Sequence, residues 1–226
     1  MFAGRYGCRQ VCFLGGEPLL HLALPEVLAA ARRLGYRTEV CTNGWRRRTQ
    51  LAACLPHLDL LRVSVDGGTA AAHDRLRRPG SFTEAMDTLQ WARSEDTAVG
   101  VTCTLTGENA GTIPALARRL VALGADDLTL HRVRAVGNAA ANALTPVTWE
   151  QAAQLDELLG AMDLGGLQIN RHVLRPARTG PRTDGTIDKL ELAPDGRVYL
   201  ACQEVGGNGQ PVRFDFASAR FVPVTA

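Results

Sequence analysis

The feature that most constrains the fold of this chain is a fivefold alternation of apolar, strand-like runs with amphipathic, helix-like segments. The strand-like runs cover about residues 11–14, 38–42, 60–65, 99–105 and 128–133, and each ends in polar or glycine residues. Proline near the start of a helical segment, as at Pro25, and glycine after its end, as at Gly35 and Gly124, mark the boundaries. This alternation predicts an α/β fold with a parallel sheet and right-handed crossovers. A doubly wound sheet and a partial barrel both fit the pattern.

Three helix boundaries are predicted from local patterns. Residues 81–84 and 148–151 have the sequences SFTE and TWEQ. Both are typical of a capping box, in which a hydroxyl and a carboxylate or amide satisfy free backbone N–H groups at a helix start. Residues 45–55 are predicted to form a helix with Leu51, Cys54 and Leu55 on its inward side.

Length and composition limit the class of protein. A chain of 226 residues with 46% apolar content can bury a substantial core as one domain, or as one domain with an appendage. A formal net charge of +2 predicts neither nucleic-acid binding nor membrane-surface binding, and the run Arg46-Arg47-Arg48 is expected on a solvated helix face. No apolar run approaches the ~20 residues that span a bilayer. The N-terminus lacks a secretory pattern, so a cytoplasmic location is expected.

The loop after the first strand-like run is Gly15-Gly16-Glu17-Pro18. The two glycines can adopt positive φ angles and let a ligand approach the backbone closely. Glu17 can pair with a cation such as an ammonium group, and Pro18 ends the strand. An ordinary strand-to-helix turn would use the same residues.

The later strand-like runs also end in polar turns. The segments are TNG at 42–44, SVDG at 64–67, TGEN at 106–109 and RAVG at 134–137. In parallel α/β folds the ligand site forms at the carboxyl ends of the strands. Asn-Gly and Asp-Gly pairs are also good turn formers, so a purely structural role is the alternative for each segment taken alone.

Taken in order, these strand ends resemble the pattern of the radical SAM enzymes. GGEP resembles the motif on the second barrel strand of that family, TNG the motif on the third, and S-x-D-G followed by H-D-x-x-R at 73–77 the motif on the fourth. Residues 132–138 resemble the sixth strand and its turn. The resemblance covers roughly residues 11–142 and implies a partial, six-stranded (β/α) barrel that lacks its first βα unit. It also implies S-adenosylmethionine (SAM) as a cofactor.

The resemblance implies a SAM site that comprises Gly15, Gly16, Glu17, Pro18, Thr42, Asn43, Ser64, Asp66, Arg77 and Asn109. In that site Glu17 holds the methionine ammonium group, and Ser64 hydrogen-bonds the ribose or the carboxylate. Arg77 grips the carboxylate with its guanidinium fork, which a lysine would do less well. Turn or helix-capping roles are the alternative for Thr42, Asn43, Asp66 and Asn109. His73 is expected to be a local structural partner.

The resemblance also implies a 4Fe-4S cluster, but its ligands are not found in this chain. The family binds the cluster through Cys-x3-Cys-x2-Cys a few dozen residues before GGEP, whereas only fourteen residues precede Gly15. Cys8 and Cys12 have the first spacing, but Cys12 lies in the strand and Gly15 takes the place of the third cysteine. No metal ligand is therefore predicted. The other cysteines before residue 110 are expected to be small buried hydrophobes: Cys41, Cys54 and Cys103.

The C-terminal quarter is predicted to form a separate extension. Residues 190–200 have two apolar runs around Pro-Asp-Gly, which predicts a β-hairpin. This hairpin resembles that of the SPASM or Twitch extensions in peptide-modifying radical SAM enzymes. Cys202 stands one residue late, and no other cysteine lies between Cys103 and Cys202, so an auxiliary cluster is not expected. The predicted division is a barrel of residues 1–165 and an extension of residues 166–226.

The predicted function is SAM binding by a radical SAM-type enzyme, N-terminally truncated, that modifies a peptide or a small molecule. A cluster-less, non-catalytic relative that binds a peptide or nucleoside is the alternative. A SAM-independent barrel lyase is a weaker one, since Lys189 is the only lysine and lies outside the strand-like runs. A Rossmann dehydrogenase is excluded because no G-x-G-x-x-G follows the first strand. The oligomeric state is not predicted, and an uncovered first strand predicts poor solubility.

Overall fold

The structure is a computed structural model that describes residues 8–133, 138–176, 190–192, 197–200, 212–215 and 220–223. The chain forms two compact units. One contains residues 1–135 and 143–176, and the other contains residues 136–142 and 177–226. In the part of the chain that is described, no helix combines the length and the apolar character needed to cross a bilayer.

The first unit is built on a sheet of six parallel strands. They are β1 (Gln10–Phe13), β2 (Arg37–Thr42), β3 (Leu60–Ser64), β4 (Val99–Leu105), β5 (Asp127–Arg132) and β6 (Gln168–Ile169). Their spatial order is the same as their chain order. A doubly wound sheet would reverse direction at a switch point, so this order agrees with the predicted partial barrel. The two-residue strand β6 was not predicted from the sequence.

Helices connect the strands and bury one face of the sheet. They are α1 (Leu24–Arg33), α2 (Arg48–Cys54), α3 (Ala70–Leu76), α4 (Ser81–Ser94), α5 (Ile113–Leu123) and α7 (Trp149–Gly160), while α6 (Asn138–Ala141) belongs to the second unit. Leucines of five helices and the apolar strand positions form one core: Leu28, Leu51, Leu89, Leu116, Leu155, Val40, Leu61, Val63, Val101 and Leu128. The helices therefore cover the apolar face of the sheet.

The opposite face of the sheet is polar. The register aligns Cys41, Arg62, Gly100 and Asp127 across β2 to β5, so these residues share one face. Arg62 donates to Asp127 Oδ1 at 2.5 Å and to Glu39 Oε2 at 3.2 Å. Burial disfavours the guanidinium charge, but the carboxylates of Asp127 and Glu39 outweigh that effect and raise the pKa of Arg62. This ion-pair network joins three strands and was not predicted.

Of the three predicted helix starts, that of α2 is wrong, that of α4 at Ser81 is right although its predicted capping box is absent, and that of α7 is confirmed. Helix α2 begins at Arg48 and not at residue 45, because Asn43 Oδ1 accepts a hydrogen bond from Trp45 N at 2.8 Å and Arg46 has a left-handed φ of 45°. Helix α4 has no capping box. Its first turn is satisfied instead by Asp74, which accepts hydrogen bonds from Gly80 N and Phe82 N.

The capping box at the start of α7 is confirmed. Thr148 Oγ1 accepts from Gln151 N at 3.1 Å, and Gln151 Oε1 accepts from Thr148 N at 3.0 Å. The predicted hairpin of the second unit is also confirmed, since β7 (Leu190–Leu192) and β8 (Arg197–Leu200) pair in antiparallel fashion. Two further strands, β9 (Val212–Asp215) and β10 (Arg220–Pro223), extend it to a four-stranded sheet.

Candidate functional site

The candidate site lies at the carboxyl edge of the parallel sheet. Its residues follow β1, end β2 and β3, and begin the turns after β3 and β4. Parallel strands end at the same edge, so segments far apart in the sequence are brought together there.

The loop after β1 has the backbone that its two glycines predict. Gly15 has φ 91° and Gly16 has φ 52°. Residues that carry a Cβ are strained in this left-handed region, whereas glycine is not. Both glycines are exposed, so their backbone is open to a ligand. Pro18 begins a single 3-10 turn (Pro18–Leu20), and Glu17 is its N-cap.

Glu17 is held in place by groups from two strand ends. Its Oε1 accepts hydrogen bonds from Thr42 Oγ1 at 2.6 Å and from Leu19 N at 3.1 Å. Its Oε2 accepts from Asn43 N at 2.8 Å. A carboxylate has roughly four lone-pair sites, so about one stays available to an external cation. The half-buried Glu17 side chain therefore presents a fixed negative charge.

The turn after β2 supports Glu17. The buried Thr42 hydroxyl also accepts from Gly44 N at 3.1 Å. Gly44 has φ 75°, and a Cβ at this position would lie 2.9 Å from Val63 Cγ1. Only glycine fits here without displacement. Thr42 and Asn43 thus bond to Glu17 and to their own turn, which favours a supporting role for both.

Ser64, Asp66 and Arg77 lie at and after the end of β3. Arg77 Nε donates to Asp66 Oδ2 at 2.6 Å, and Thr104 N donates to Asp66 Oδ1 at 2.7 Å. Asp66 is buried and engaged through both oxygens, so it positions Arg77. Among the described residues, Nε is the one side-chain nitrogen of Arg77 with a hydrogen-bond partner, and the Arg77 side chain is 29% exposed. Its terminal nitrogens are free to bind an external carboxylate.

Asn109 is an internal brace of this edge. Its Nδ2 donates to Asp66 O at 3.1 Å and to Thr104 O at 2.7 Å, while its Oδ1 accepts from Thr106 N at 2.8 Å. The residue is 1% exposed, and these bonds engage both side-chain N–H donors and the side-chain oxygen. This geometry favours a positioning role for Asn109 over direct contact with a ligand.

Cys41 lies beside Ser64 on the polar face and is not the small buried hydrophobe that the sequence predicted. It is half-buried on the polar face, and its Sγ lies 3.9 Å from Ser64 Oγ. Burial raises the pKa of the Cys41 thiol, whereas the Ser64 hydroxyl and the charges of Arg62 and Arg77 oppose this and Glu17 reinforces it. Ser64 thus contacts Cys41, and the charges of Glu17 and Arg77 both influence the same thiol. The alternation of side chains along β2 was the signal for this position, because Val40 and Thr42 point into the core.

An open cavity of about 490 Å³ adjoins the loop after β1. Gly15, Glu17 and Pro18 line it together with apolar side chains such as Leu20 and Val27. Ser64 and Arg77 do not contribute to this cavity. Hydrogen bonds and ion pairs along the sheet edge, and not a shared cavity, therefore define the candidate site.

The described residues do not fit an iron–sulfur cluster. Within residues 8–133 and 140–176 no group of three or more His, Cys, Asp and Glu side chains is arranged to hold a metal ion. A 4Fe-4S cluster needs converging thiolates. Cys8 precedes β1 and Cys12 lies within it, both half-buried, and Cys202 lies outside the described residues.

The chain matches known proteins over most of the sheet. The model of the radical SAM superfamily matches residues 1–120. The chain is 33% identical over 113 residues to Fe-coproporphyrin III synthase of Methanosarcina barkeri, a match that covers 49% of this chain and 28% of that protein. It is 29% identical over 141 residues to PqqA peptide cyclase of Rhodopseudomonas palustris, covering 61% of this chain and 37% of that protein. The matches thus span about a third of these relatives.

The fold agrees with a solved structure of low sequence identity. Streptococcus suis SuiB bound to S-adenosylmethionine has a TM-score of 0.68 and 14% identity, with 89% of this chain and 51% of that chain covered. The sequential parallel sheet, the strand-end turns and the family match over more than half of the chain lead to one conclusion: this protein belongs to the radical SAM superfamily.

Proposed function

We propose that this chain binds SAM at the carboxyl edge of β1 to β4 and acts on a peptide as part of a radical SAM-type enzyme. The observation that carries the proposal is the Glu17 carboxylate, which Thr42 Oγ1 and Asn43 N hold at 2.6 and 2.8 Å with one lone-pair direction to spare. A fixed, half-buried carboxylate beside two exposed glycines suits a primary ammonium group.

The other end of the amino acid has its own partner. SAM carries a carboxylate next to its ammonium group, and Arg77 offers unpaired guanidinium nitrogens at the same sheet edge. Asp66 fixes Arg77 through a 2.6 Å ion pair, so the arginine is oriented before a ligand arrives. When bound, SAM supplies the oxidising group with which enzymes of this family abstract hydrogen from a substrate. The residues of this chain orient the cofactor and shield it from water.

A peptide substrate is supported by the similarity to PqqA peptide cyclase, which covers more of this chain than the similarity to Fe-coproporphyrin III synthase does. The four-stranded sheet of the second unit starts with the hairpin that resembles SPASM-type extensions. A small-molecule substrate is the alternative. It is favoured by the higher identity, 33%, to Fe-coproporphyrin III synthase.

Calorimetric titration tests SAM binding and the role of Glu17 together. Wild type and Glu17→Gln are titrated with SAM and with 5′-methylthioadenosine, which lacks the amino-acid moiety. The substitution should weaken SAM binding at least about tenfold, since a charged hydrogen bond is lost, but leave methylthioadenosine binding unchanged. Glu26→Gln, an exposed glutamate of α1, is the matched control. Equal loss of both ligands, or of neither, would contradict the assignment of Glu17.

A second candidate is a non-catalytic relative that binds SAM or a peptide without redox chemistry. The observation in its favour is that the described residues contain no metal-binding group of three. Anaerobic reconstitution with iron and sulfide distinguishes the two. A stoichiometric cluster with SAM cleavage would support an enzyme complete in this chain, whereas its absence, with SAM still bound, would support a cluster-less relative or a truncated reading frame. An in-frame Cys-x3-Cys-x2-Cys in the upstream DNA would then favour truncation.

A further inference from the structure

Two guanidinium groups lie over one indole ring next to the candidate site. Arg78 Cζ is 3.4 Å and Arg46 Cζ is 4.7 Å from the ring centroid of Trp45. Both distances are within the range of cation–π contacts. Arg46 follows Trp45 directly, whereas Arg78 comes from the segment after α3. Tertiary packing therefore concentrates positive charge around this tryptophan.

The positive charge continues along α4. Arg48 Cζ lies 4.3 Å from the ring centroid of Trp91, and Arg46 Nε lies 3.4 Å from Glu84 Oε1. Glu84 and Trp91 are two helical turns apart and therefore on one side of α4, about 10 Å from each other. Arg47, which is exposed, lies between Arg46 and Arg48 in the chain. Trp45, Arg46, Arg47, Arg48 and Arg78 are called the arginine surface below.

Most of this charge has no ion-pair partner among the residues that the structure describes. Among the described residues, the arginine surface forms one ion pair, which joins Arg46 and Glu84. Neighbouring Asp74 is already engaged by Gly80 N at 2.7 Å and Phe82 N at 2.9 Å. Like charges in this proximity repel one another, so a bound anion would relieve an unfavourable interaction.

The backbone at the arginine surface is strained as well. Arg46 has φ 45°, a conformation that costs energy in a residue with a Cβ. The hydrogen bond from Trp45 N to Asn43 Oδ1, at 2.8 Å, fixes the turn that precedes Arg46. Strain and uncompensated charge at the same place are typical of functional surfaces.

We propose that the arginine surface binds an acidic segment of a peptide. Guanidinium forks suit carboxylates, and three of the four guanidinium groups of the arginine surface have no ion pair among the described residues. A nucleic acid fits less well, because Arg46 and Arg78 already occupy the Trp45 ring on which a base would stack and the net charge of the chain is only +2.

The position of the arginine surface relates it to the candidate site. Asn43 N donates to Glu17, and Asn43 Oδ1 accepts from Trp45 N. Asn43 is therefore hydrogen-bonded both to the carboxylate assigned to SAM and to Trp45, the first residue of the arginine surface. That the acidic peptide is the substrate depends on the proposed function, whereas the binding itself does not.

Fluorescence polarisation tests the binding directly. The probe is a fluorescein-labelled peptide of alternating glutamate and glycine, compared with the same peptide carrying glutamine and with labelled oligothymidine. The glutamate peptide should bind at low salt and weaken as salt rises. The double variant Arg47→Gln/Arg78→Gln should weaken binding about tenfold. Arg33→Gln, an exposed arginine in the last turn of α1 at the opposite sheet edge, should stay within about twofold.

Further measurements separate recognition from folding. Circular dichroism melts show whether each variant remains folded. Arg78→Lys keeps the charge but loses the planar stack, so its affinity should fall between those of wild type and the double variant. The double variant should bind SAM like wild type, so this proposal and the proposed function can fail separately. Equal binding of glutamate and glutamine peptides, tighter binding of oligothymidine, or an equal effect of Arg33→Gln would overturn the proposal.

Discussion

The Glu17 carboxylate after β1 accepts a 2.6 Å hydrogen bond from Thr42 Oγ1 at the end of β2. The same hydroxyl accepts a hydrogen bond from Gly44 N at 3.1 Å, so it joins the acid to the turn after β2. The location of this negative charge is therefore set by the neighbouring strand and not only by the flexible glycines before it. The candidate site depends on a bond across the sheet.

Replacing Thr42 by valine should separate Glu17 from that turn. The substitution keeps the shape of the side chain but leaves Gly44 N without its acceptor in a buried environment, which should cost about 1–3 kcal/mol in the free energy of unfolding. Urea denaturation measures the loss, and calorimetry should show weaker SAM binding. Thr42→Ser restores the hydroxyl and should recover most of both. A valine variant as stable as wild type would contradict the bridging role.

Replacing Gly100 by alanine should disturb the ion-pair network on the polar face. An added Cβ would collide with Asp127 Oδ1 and lie 3.0 Å from its Cγ. Asp127 would have to move away from Arg62, which should destabilise the fold by about 1–3 kcal/mol in thermal or urea unfolding. Gly111→Ala is the control, since nothing lies within 4 Å of its Cβ position. Equal effects of the two substitutions would show that the network is not sensitive to this contact.

Most of the sheet could be predicted because its strands have recognisable local sequence patterns. Each of β1 to β5 corresponds to an apolar run with a polar turn after it, and parallel strands connected by helices end at one edge. From that rule alone, Glu17 and Thr42 are expected at the same edge of the sheet. The choice between a doubly wound sheet and a partial barrel needed the strand order, which depends on long-range pairing.

The predictions failed where hydrogen bonds or ion pairs to residues from other elements determine the local structure. Serine and glutamate at 81 and 84 have the right spacing for a capping box, but Asp74 from the preceding helix satisfies the first turn of α4. The pairing of Arg62 with Glu39 and Asp127 depends on the register of four strands. No pattern within a single strand contains that information.

The exposed leucines beside β1 should promote self-association. Leu20 is 56% and Leu22 is 84% exposed, and among the described strands β1 pairs with β2 alone. Exposed apolar side chains, and a strand edge without a partner among the described residues, both favour contacts between copies. Leu20→Lys/Leu22→Lys should lower the weight-average mass in sedimentation velocity at high concentration. Leu34→Lys is the matched control, because Leu34 is 71% exposed at the other end of α1. A monodisperse wild type would refute the prediction.

His73 should make the stability of the fold depend on pH. Its imidazole is fully buried, and Nδ1 accepts a hydrogen bond from Asp66 N at 2.9 Å. Burial, and then the charge of Arg77, lowers the pKa of His73 below its ordinary value. Below about pH 6.5 the unfolded chain therefore binds a proton that the native state does not, so the free energy of unfolding falls as the pH decreases towards the native pKa.

His73→Asn isolates this effect, because its Oδ1 can replace Nδ1 as the acceptor for Asp66 N but cannot titrate. We expect wild type to lose stability between about pH 7 and pH 5 and the variant to show a flatter profile, even if it is less stable at every pH. Urea unfolding at several pH values measures both slopes. His21→Asn, a substitution of an exposed histidine, is the matched control. If wild type and His73→Asn had equal slopes, the proton linkage would lie in another group.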